Sequence, residues 1–364
     1  MIEKTGIMNE FDVFLFVPFD NMNLNYYRNL GISVIDDYSF SQIECDTKLN
    51  SIKYYKNYLS SIKKLSKANL IFDVVHISYA SMEKILSIPY LRKISKKIVV
   101  TFWGSDLFRV GTGTLKFYKR YLNKVDEISL STNDMFSKFH KIYGEKYNSK
   151  LRRVRFGVDG FSFINVISSS DKSKSLFNLP FDKKIVTIGY NGNSSQQHLK
   201  VLDVISRMPD DLQKNMFILI PATYGLNTEY KHKLIEALDG LSCKYRLFED
   251  YMDDETLGHL RKATDCFIHA QLTDALSASV QEYLYAQKLV FNPSWIIYED
   301  FDELGIYYKK YKSFDDLIHL LSDYIIRGVS QETEQRLQNN SKLLKRISDW
   351  NVVAVNWKEL YLKP

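Results

Sequence analysis

Short apolar runs alternate with amphipathic stretches along nearly the whole chain, and this alternation limits the possible folds more than any other feature. Runs of roughly four to eight apolar residues bounded by turn-formers read as strands buried on both faces, and the stretches between them carry helical periodicity. In the first half the strands are expected at Asp12–Pro18, Phe72–Ser78, Ile98–Phe102, Glu127–Ser131 and Arg152–Phe156. In the second they are expected at Lys184–Tyr190, Met216–Pro221, Lys244–Phe248, Cys266–Ala270, Leu289–Phe291 and Ile306–Tyr308, with helices at Gln197–Arg207, Glu229–Ala237, Asp254–Ala263 and Ser277–Gln287. Strands and helices in alternation imply parallel sheets covered by helices, an α/β class.

The 364 residues exceed what one core usually organises, so two α/β domains of roughly 150 to 180 residues are expected, facing a cleft. The Ser- and Lys-rich segment Asn165–Asp182 (NVISSSDKSKSLFNLPFD) separates the two strand series. The division is therefore an N-terminal Rossmann-like domain over 1–165, a linker over 166–182, a C-terminal Rossmann-like domain over 183–345 and a crossover helix within 346–364. That helix, Ser348–Leu362 (SDWNVVAVNWKELYL), is amphipathic and bears tryptophans, and it is expected to pack back on the N-terminal domain.

Composition narrows the setting. Hydrophobic residues at 45% and charged residues at 25%, with 7 Pro and 15 Gly, exclude disordered and fibrous classes. Cys45, Cys243 and Cys266 are far apart with no metal-finger spacing, which fits cytosolic thiols better than disulfides or zinc. Neither a signal segment nor an apolar window of about 18 residues is present, so a cytoplasmic location is expected. A net charge of +6 is modest for a nucleic-acid binder, and none is expected as partner. The basic charge gathers in Lys48–Lys67 (KLNSIKYYKNYLSSIKKLSK), where lysines alternate with Tyr54, Tyr55, Tyr58, Leu59, Ile62 and Leu65. This reads either as a solvated helix face or as a helix resting on an anionic membrane surface.

The most informative stretch is Cys266–Asn292 (CFIHAQLTDALSASVQEYLYAQKLVFN). A strand, a loop carrying Asp274, and a helix starting near Ser277 with Glu282 in its second turn place both acids beyond the carboxyl end of a strand, where open α/β sheets bind ligands. Ala275, Ser277, Ala278 and Ser279 let the backbone approach a ligand closely, and unpaired N–H groups at the helix start suit a diphosphate. One carboxylate before the helix and one inside it can accept hydrogen bonds from sugar and ribose hydroxyls. The same two acids also read as a helix cap and a solvated glutamate.

At this point the chain resembles the large retaining GT-B glycosyltransferase family often called family 4, whose signature is E-x7-E, here with Asp first. The resemblance implies that Asp274 contacts the donor sugar and Glu282 the ribose. Other segments follow in the family's order: Asp73–Ile77 (DVVHI), Thr101–Asp106 (TFWGSD), Val125–Ser131 (VDEISLS), Arg155–Phe161 (RFGVDGF) and Trp350 of the closing helix. More narrowly, Gly192–His198 (GNSSQQH), Trp103–Leu107 and Ile220–Pro221 resemble the bacterial 4-acetamido-fucosyltransferases that build a surface glycan. The chain departs from family 4 at Tyr190–Gln197, the loop after the first C-domain strand, which holds no Arg or Lys to neutralise the diphosphate.

The expectation is thus metal-independent transfer of a sugar from a UDP- or dTDP-sugar, a substrate rather than a cofactor, to a hydroxyl of a glycan or lipid-linked glycan in surface polysaccharide synthesis. Gly192, Asn193, Ser194, Ser195 and His198 would cradle the phosphates with Ser277, Ala278 and Ser279. Tyr251 and Met252, in Phe248–Met252, would meet the base. Asp106 and His76 are candidates for general base or acceptor orientation beside Asp274, and Trp103, Gly104 and Arg109 for the acceptor side. Asp106 also reads as a helix cap, His76 and His198 as packed histidines, and Arg109 as one half of a surface ion pair. Asp300-Phe-Asp302 has the D-x-D pattern of metal-dependent enzymes but lies in a late loop with no such domain around it. A nucleotide-sugar epimerase of the same shape and a non-catalytic glycan or membrane adaptor are the alternatives.

Overall fold

The architecture is that of a computed structural model describing residues 2–17, 24–36 and 48–362. Pro18 and Cys45 lie outside the described residues, as does the side chain of Lys48. The chain divides into two compact units, residues 1–157 with 350–364, and residues 158–349.

In the first unit, strands β1 (Phe14–Val17) and β2 (Ser33–Asp36) form a parallel pair. Strands β3 (Phe72–Ser78), β4 (Ser95–Thr101), β5 (Glu127–Leu130) and β6 (Leu151–Arg153) form a parallel sheet in that spatial order. Helix Lys48–Leu65 buries Tyr54, Tyr58 and Ile62, one turn apart, and packs on helix Met82–Leu91. Its opposite face exposes Lys53, Lys56, Lys63 and Lys64.

Helix Trp350–Leu362 belongs to this unit, so the chain returns to its first unit as expected from its tryptophan-bearing amphipathic pattern. Trp357 is fully buried, its indole N–H donates to Arg155 O at 2.8 Å, and its ring lies 5.0 Å from that of Phe156. Around it Ile7, Val99, Val154, Val353 and Leu360 close a core.

The second unit is one six-stranded parallel sheet: β7 (Lys184–Ile188), β8 (Met216–Pro221), β9 (Lys244–Phe248), β10 (Cys266–Ile268), β11 (Leu289–Pro293) and β12 (Lys309–Tyr311). The spatial order β12-β11-β10-β7-β8-β9 is that of a dinucleotide-binding fold, winding outward from β7 and then restarting on its other side at β10. Alternate residues enter opposite layers. Val186, Ile188, Met216, Ile218 and Ile220 pack into one, and Ile185, Phe217 and Leu219 into the other, which is why these strands read as unbroken apolar runs.

Several boundaries differ from those expected. Residues 166–182 are an ordered part of the second unit: helix Ser170–Leu176, capped by Ser169 Oγ, packs on helix Asp254–Ala263, and Phe177 and Leu179 are buried. The unit boundary falls at 157–158 rather than at 165. The last strand is Lys309–Tyr311, because Ile306 and Tyr308 bury into a separate cluster with Tyr298 and Phe301.

Candidate functional site

The point where the sheet order of the second unit reverses lies between β7 and β10, and ligands of such sheets sit beyond the carboxyl ends of those strands. Two loops meet there. Gly189 N donates to Ile268 O at 3.1 Å, Leu272 N to Ser195 O at 3.0 Å, and Gln197 Nε2 to Ala270 O at 2.6 Å. Gly189 has φ +65°, and a Cβ on it would stand 2.6 Å from His198 Nε2, so this sharp exit from β7 needs glycine.

Asp274 lies on the β10 side. Its Oδ2 accepts the Ser277 N–H at 3.0 Å and the Tyr298 hydroxyl, and among the described residues its Oδ1 has no protein partner. Ser277 in turn caps helix Ala278–Tyr285, its Oγ accepting the Val280 N–H at 3.2 Å. Between the two, Leu276 is held at φ +90°, a backbone strain costing about 1–3 kcal/mol for a non-glycine residue. Burial, and after it the Asp274 charge, raises the Tyr298 hydroxyl well above the ordinary tyrosine range, and the same two causes in the same order push up Tyr190. Both phenols remain donors.

The His269 ring is inclined by 29° to that of Tyr190 and 12° to that of Tyr298, with centroids 6.1 and 6.4 Å away. Asn292 uses its amide N–H groups on Pro293 O and Ile296 O, so its oxygen faces His269 Nδ1 at 2.8 Å. That assignment puts the His269 proton on Nδ1. Burial lowers the pKa of this imidazole despite the nearby Asp274, which keeps it neutral.

Glu282 has the same half-anchored character. Its Oε2 accepts from Arg261 Nε at 3.0 Å, while Arg261 also donates to Tyr283 OH at 2.9 Å and Ser279 Oγ at 3.3 Å. The pair is largely out of solvent, with side-chain exposures of 4% and 14%. A Cβ on Gly160 would lie 2.5 Å from Glu282 Oε1, so that oxygen stands beside bare backbone rather than another side chain.

The remaining donor-side candidates divide. Asn193 and Ser194 are exposed and Ser195 half-buried at the mouth of the loop, with Asn193 N–H held by Asn191 Oδ1 at 2.9 Å. Ala278 and Ser277 begin the helix beside them. Gly192 is a packing residue, its N–H bonded to Tyr224 O at 2.8 Å. His198 is wholly buried, its Nδ1 is 3.2 Å from Tyr230 OH, and burial lowers its pKa to about 4, so it is no cation at neutral pH. Tyr251 is exposed at the end of β9, the sheet's edge strand, whereas Met252 is buried with Phe217 and Leu260. Among the described residues no hydrogen bond or ion pair ties those two to Asp274.

In the first unit, Asp106 is buried to 1%. Its Oδ1 accepts the N–H groups of Trp103 and Gly104, both at 2.9 Å, and its Oδ2 that of Ala80 at 2.7 Å. Burial raises its pKa, opposed by those backbone N–H groups. Both oxygens are occupied, so Asp106 acts as a clamp on two loops, the cap-like alternative rather than a base. His76 bonds Thr101 Oγ1 and Tyr361 OH through its two ring nitrogens, each at 2.7 Å, and burial lowers its pKa to about 4. It is a packed neutral histidine. Trp103 and Arg109 are exposed and Gly104 is buried. Asp302 of the D-x-D pattern binds Lys310 and Tyr308, and among the described residues no three His, Cys, Asp or Glu side chains form a metal-binding group.

Arg261, Tyr298, Tyr190 and His269 escaped the sequence reading. A signal existed for Arg261, which falls in the apolar stripe Leu257, Leu260, Arg261, Thr264 of an otherwise ordinary helix, where a charge requires a partner.

A family model described as "Glycosyl transferase 4-like" matches residues 24–133, within the first unit. No curated protein matches the chain in sequence. Among solved structures, a glycosyltransferase from Rickettsia africae is similar over 99% of this chain and 92% of its own, at 15% identity and TM-score 0.73. Sucrose-phosphate synthase from Thermosynechococcus elongatus is similar over 98% and 90%, at 11% identity and TM-score 0.73. HepE from Anabaena, solved in complex with UDP and glucose, is similar over 98% and 93%, at 12% identity and TM-score 0.70. At such identities the likeness is one of fold. With two parallel-sheet units and a terminal helix returned to the first, the chain has the GT-B fold of these glycosyltransferases.

Proposed function

We propose that this chain is a glycosyltransferase that moves a sugar from a nucleoside-diphosphate donor to a hydroxyl of a glycan or lipid-linked glycan, with the donor held on the second unit at loop 189–198 and Asp274–Glu282. One observation carries the reading. At the sheet's reversal point stand two acids, each with one oxygen anchored by the protein and the other without a protein partner among the described residues. Anchored this way, a carboxylate is fixed in orientation yet keeps an acceptor for a hydroxyl. Asp274 Oδ1 would receive a hydroxyl of the donor sugar, and Glu282 Oε1 a ribose hydroxyl.

The diphosphate would lie against the start of helix Ala278–Tyr285 and the polar, uncharged side chains of Asn193, Ser194 and Ser195. Catalysis then rests on positioning and on stabilising the departing diphosphate. The anomeric outcome that fits the Asp-x7-Glu pair is retention. Metal-independent turnover belongs to this reading, as does acceptor entry on the side of Trp103, Gly104 and Arg109. The lysine face of helix Lys48–Leu65 supports a role at an anionic membrane surface, in surface polysaccharide synthesis. No helix among the described residues is long and apolar enough to cross a membrane.

A thermal-shift panel of UDP, dTDP, GDP and ADP tests the donor site, since a ligand at 100 times its Kd stabilises the folded state by about 2.7 kcal/mol. UDP or dTDP is expected to raise Tm, with transfer from the matching sugar nucleotide persisting in EDTA. No shift with any of the four, or a free epimer formed from donor alone, would sink the reading. Sedimentation with phosphatidylglycerol vesicles but not phosphatidylcholine vesicles is the expected membrane result.

A further inference from the structure

Two aromatic side chains stand open at the carboxyl end of the first unit's sheet. Tyr79 follows β3 and is 37% exposed, and Trp103 follows β4 and is 51% exposed. These strands pair with Ser78 opposite Thr101, and Tyr79 N donates to Thr101 O at 3.1 Å, so the two residues leave the sheet in adjacent loops.

Neither residue is loose. The Trp103 indole N–H donates to Ser78 Oγ at 3.1 Å, and its ring centroid lies 4.7 Å from that of Phe156, which in turn packs on buried Trp357. Ser105 Oγ donates to the Tyr79 hydroxyl at 3.3 Å, and the Lys84 ammonium, bonded to Ser78 O at 2.7 Å, sits 5.8 Å from the Tyr79 ring. Asp106 ties the two loops together, one oxygen on Ala80 next to Tyr79 and the other on Trp103 and Gly104.

The backbone makes the arrangement costly. Tyr79 sits at φ +71°, a left-handed conformation that bulky residues rarely adopt and that glycine would take without strain. A buried carboxylate and a strained tyrosine thus hold two aromatic side chains partly exposed to solvent, although burying them would serve the fold better. Such strain gathers where a ligand is met.

We propose that Tyr79 and Trp103 form a fixed stacking platform for a neutral pyranose ring. A pyranose has an apolar C–H face and a rim of hydroxyls. The platform matches it with ring faces edged by the hydroxyls of Ser78, Ser105 and Tyr79 and by the Lys84 ammonium. An alkyl chain laid there would cover those polar groups without bonding them. Naming this sugar as the acceptor rests on the transferase reading above; the platform itself does not.

The test uses the full chain with methyl glucoside, methyl galactoside and methyl N-acetylglucosaminide, binding being followed by saturation-transfer NMR, with uridine and decanol as competing probes. At least one glycoside is expected to bind, and Tyr79→Gly and Trp103→Ala each to weaken it about tenfold or more, with the nucleoside-diphosphate thermal shift unchanged. Tyr79→Gly is also expected to keep or raise Tm, because it relieves the strained backbone. A Tm change with glycoside binding intact would make both residues structural and overturn the proposal. Preference for uridine or decanol would overturn it as well. Glycosides failing to bind while UDP or dTDP does would remove the platform and leave the donor reading standing. The reverse pattern would keep the platform and remove the transferase.

Discussion

Asp106 and Asp274 occupy similar places, each beyond the end of a parallel strand, the first in the opening turn of a short helix and the second just before one, yet the two units use them differently. Asp106 is buried and gives both oxygens to three backbone N–H groups. Asp274 is half-buried and gives one oxygen to the protein. Position after a strand makes a carboxylate a candidate. What makes it available to a ligand is the number of protein donors it has already accepted.

The largest expected effect concerns the anchor of the second available acid. Arg261→Met would leave the carboxylate of Glu282 without its partner in a largely desolvated place, costing about 3–5 kcal/mol. Urea unfolding of that variant beside Arg261→Met combined with Glu282→Leu checks the cause, since removing both charges should restore much of the loss.

Next comes the pair itself. Asp274→Asn is expected to lower kcat by about 10²- to 10³-fold with the fold retained, as when an aligned group is removed from a reacting centre. Asp106→Asn should act mainly on the fold, costing about 2–3 kcal/mol because one amide oxygen cannot serve three N–H groups in two directions, while kcat per folded molecule falls far less than in Asp274→Asn. Measuring kcat and the urea midpoint on both variants settles it. Loss of turnover without loss of stability in Asp106→Asn would break the comparison.

A smaller effect, shared by both units, is set by pH. His198 in the second unit is buried neutral with its pKa lowered to about 4, whereas an unfolded histidine titrates near about 6.5. Its contribution is therefore complete above about pH 6.5 and is lost as pH falls toward 4, at about 1.4 kcal/mol per pH unit. In the first unit burial shifts His76 the same way, to about 4. Tm recorded from pH 7 to pH 5 should fall, and His198→Gln and His76→Gln should each flatten that slope by a similar amount.

The strands of the second unit were the most legible part of the sequence, because burial on both faces leaves unbroken apolar runs such as Met216–Pro221. Two peripheral strands were not. Strand Ser33–Asp36 is short and half-polar, and Lys309–Tyr311 keeps lysines on an exposed edge while its apolar neighbours Ile306 and Tyr308 pack elsewhere. In the site, the Asp274 loop could be read because its residues are local in sequence. The bonds of Asp106 to Ala80 and of Glu282 to Arg261 span 26 and 21 residues, onto other elements, and spacing along one strand or helix carries no record of them.

The terminal helix has a consequence for synthesis. Trp350, Val353, Trp357 and Leu360 complete a core whose other buried members, Ile7, Val99 and Val154, emerge from the ribosome long before them. The second unit has all its strands once residue 311 is made, so the unit translated first is the one that must wait, holding an open apolar face until residues 350–362 arrive. A nascent chain stalled before that helix is therefore the form most exposed to aggregation and most in need of a chaperone.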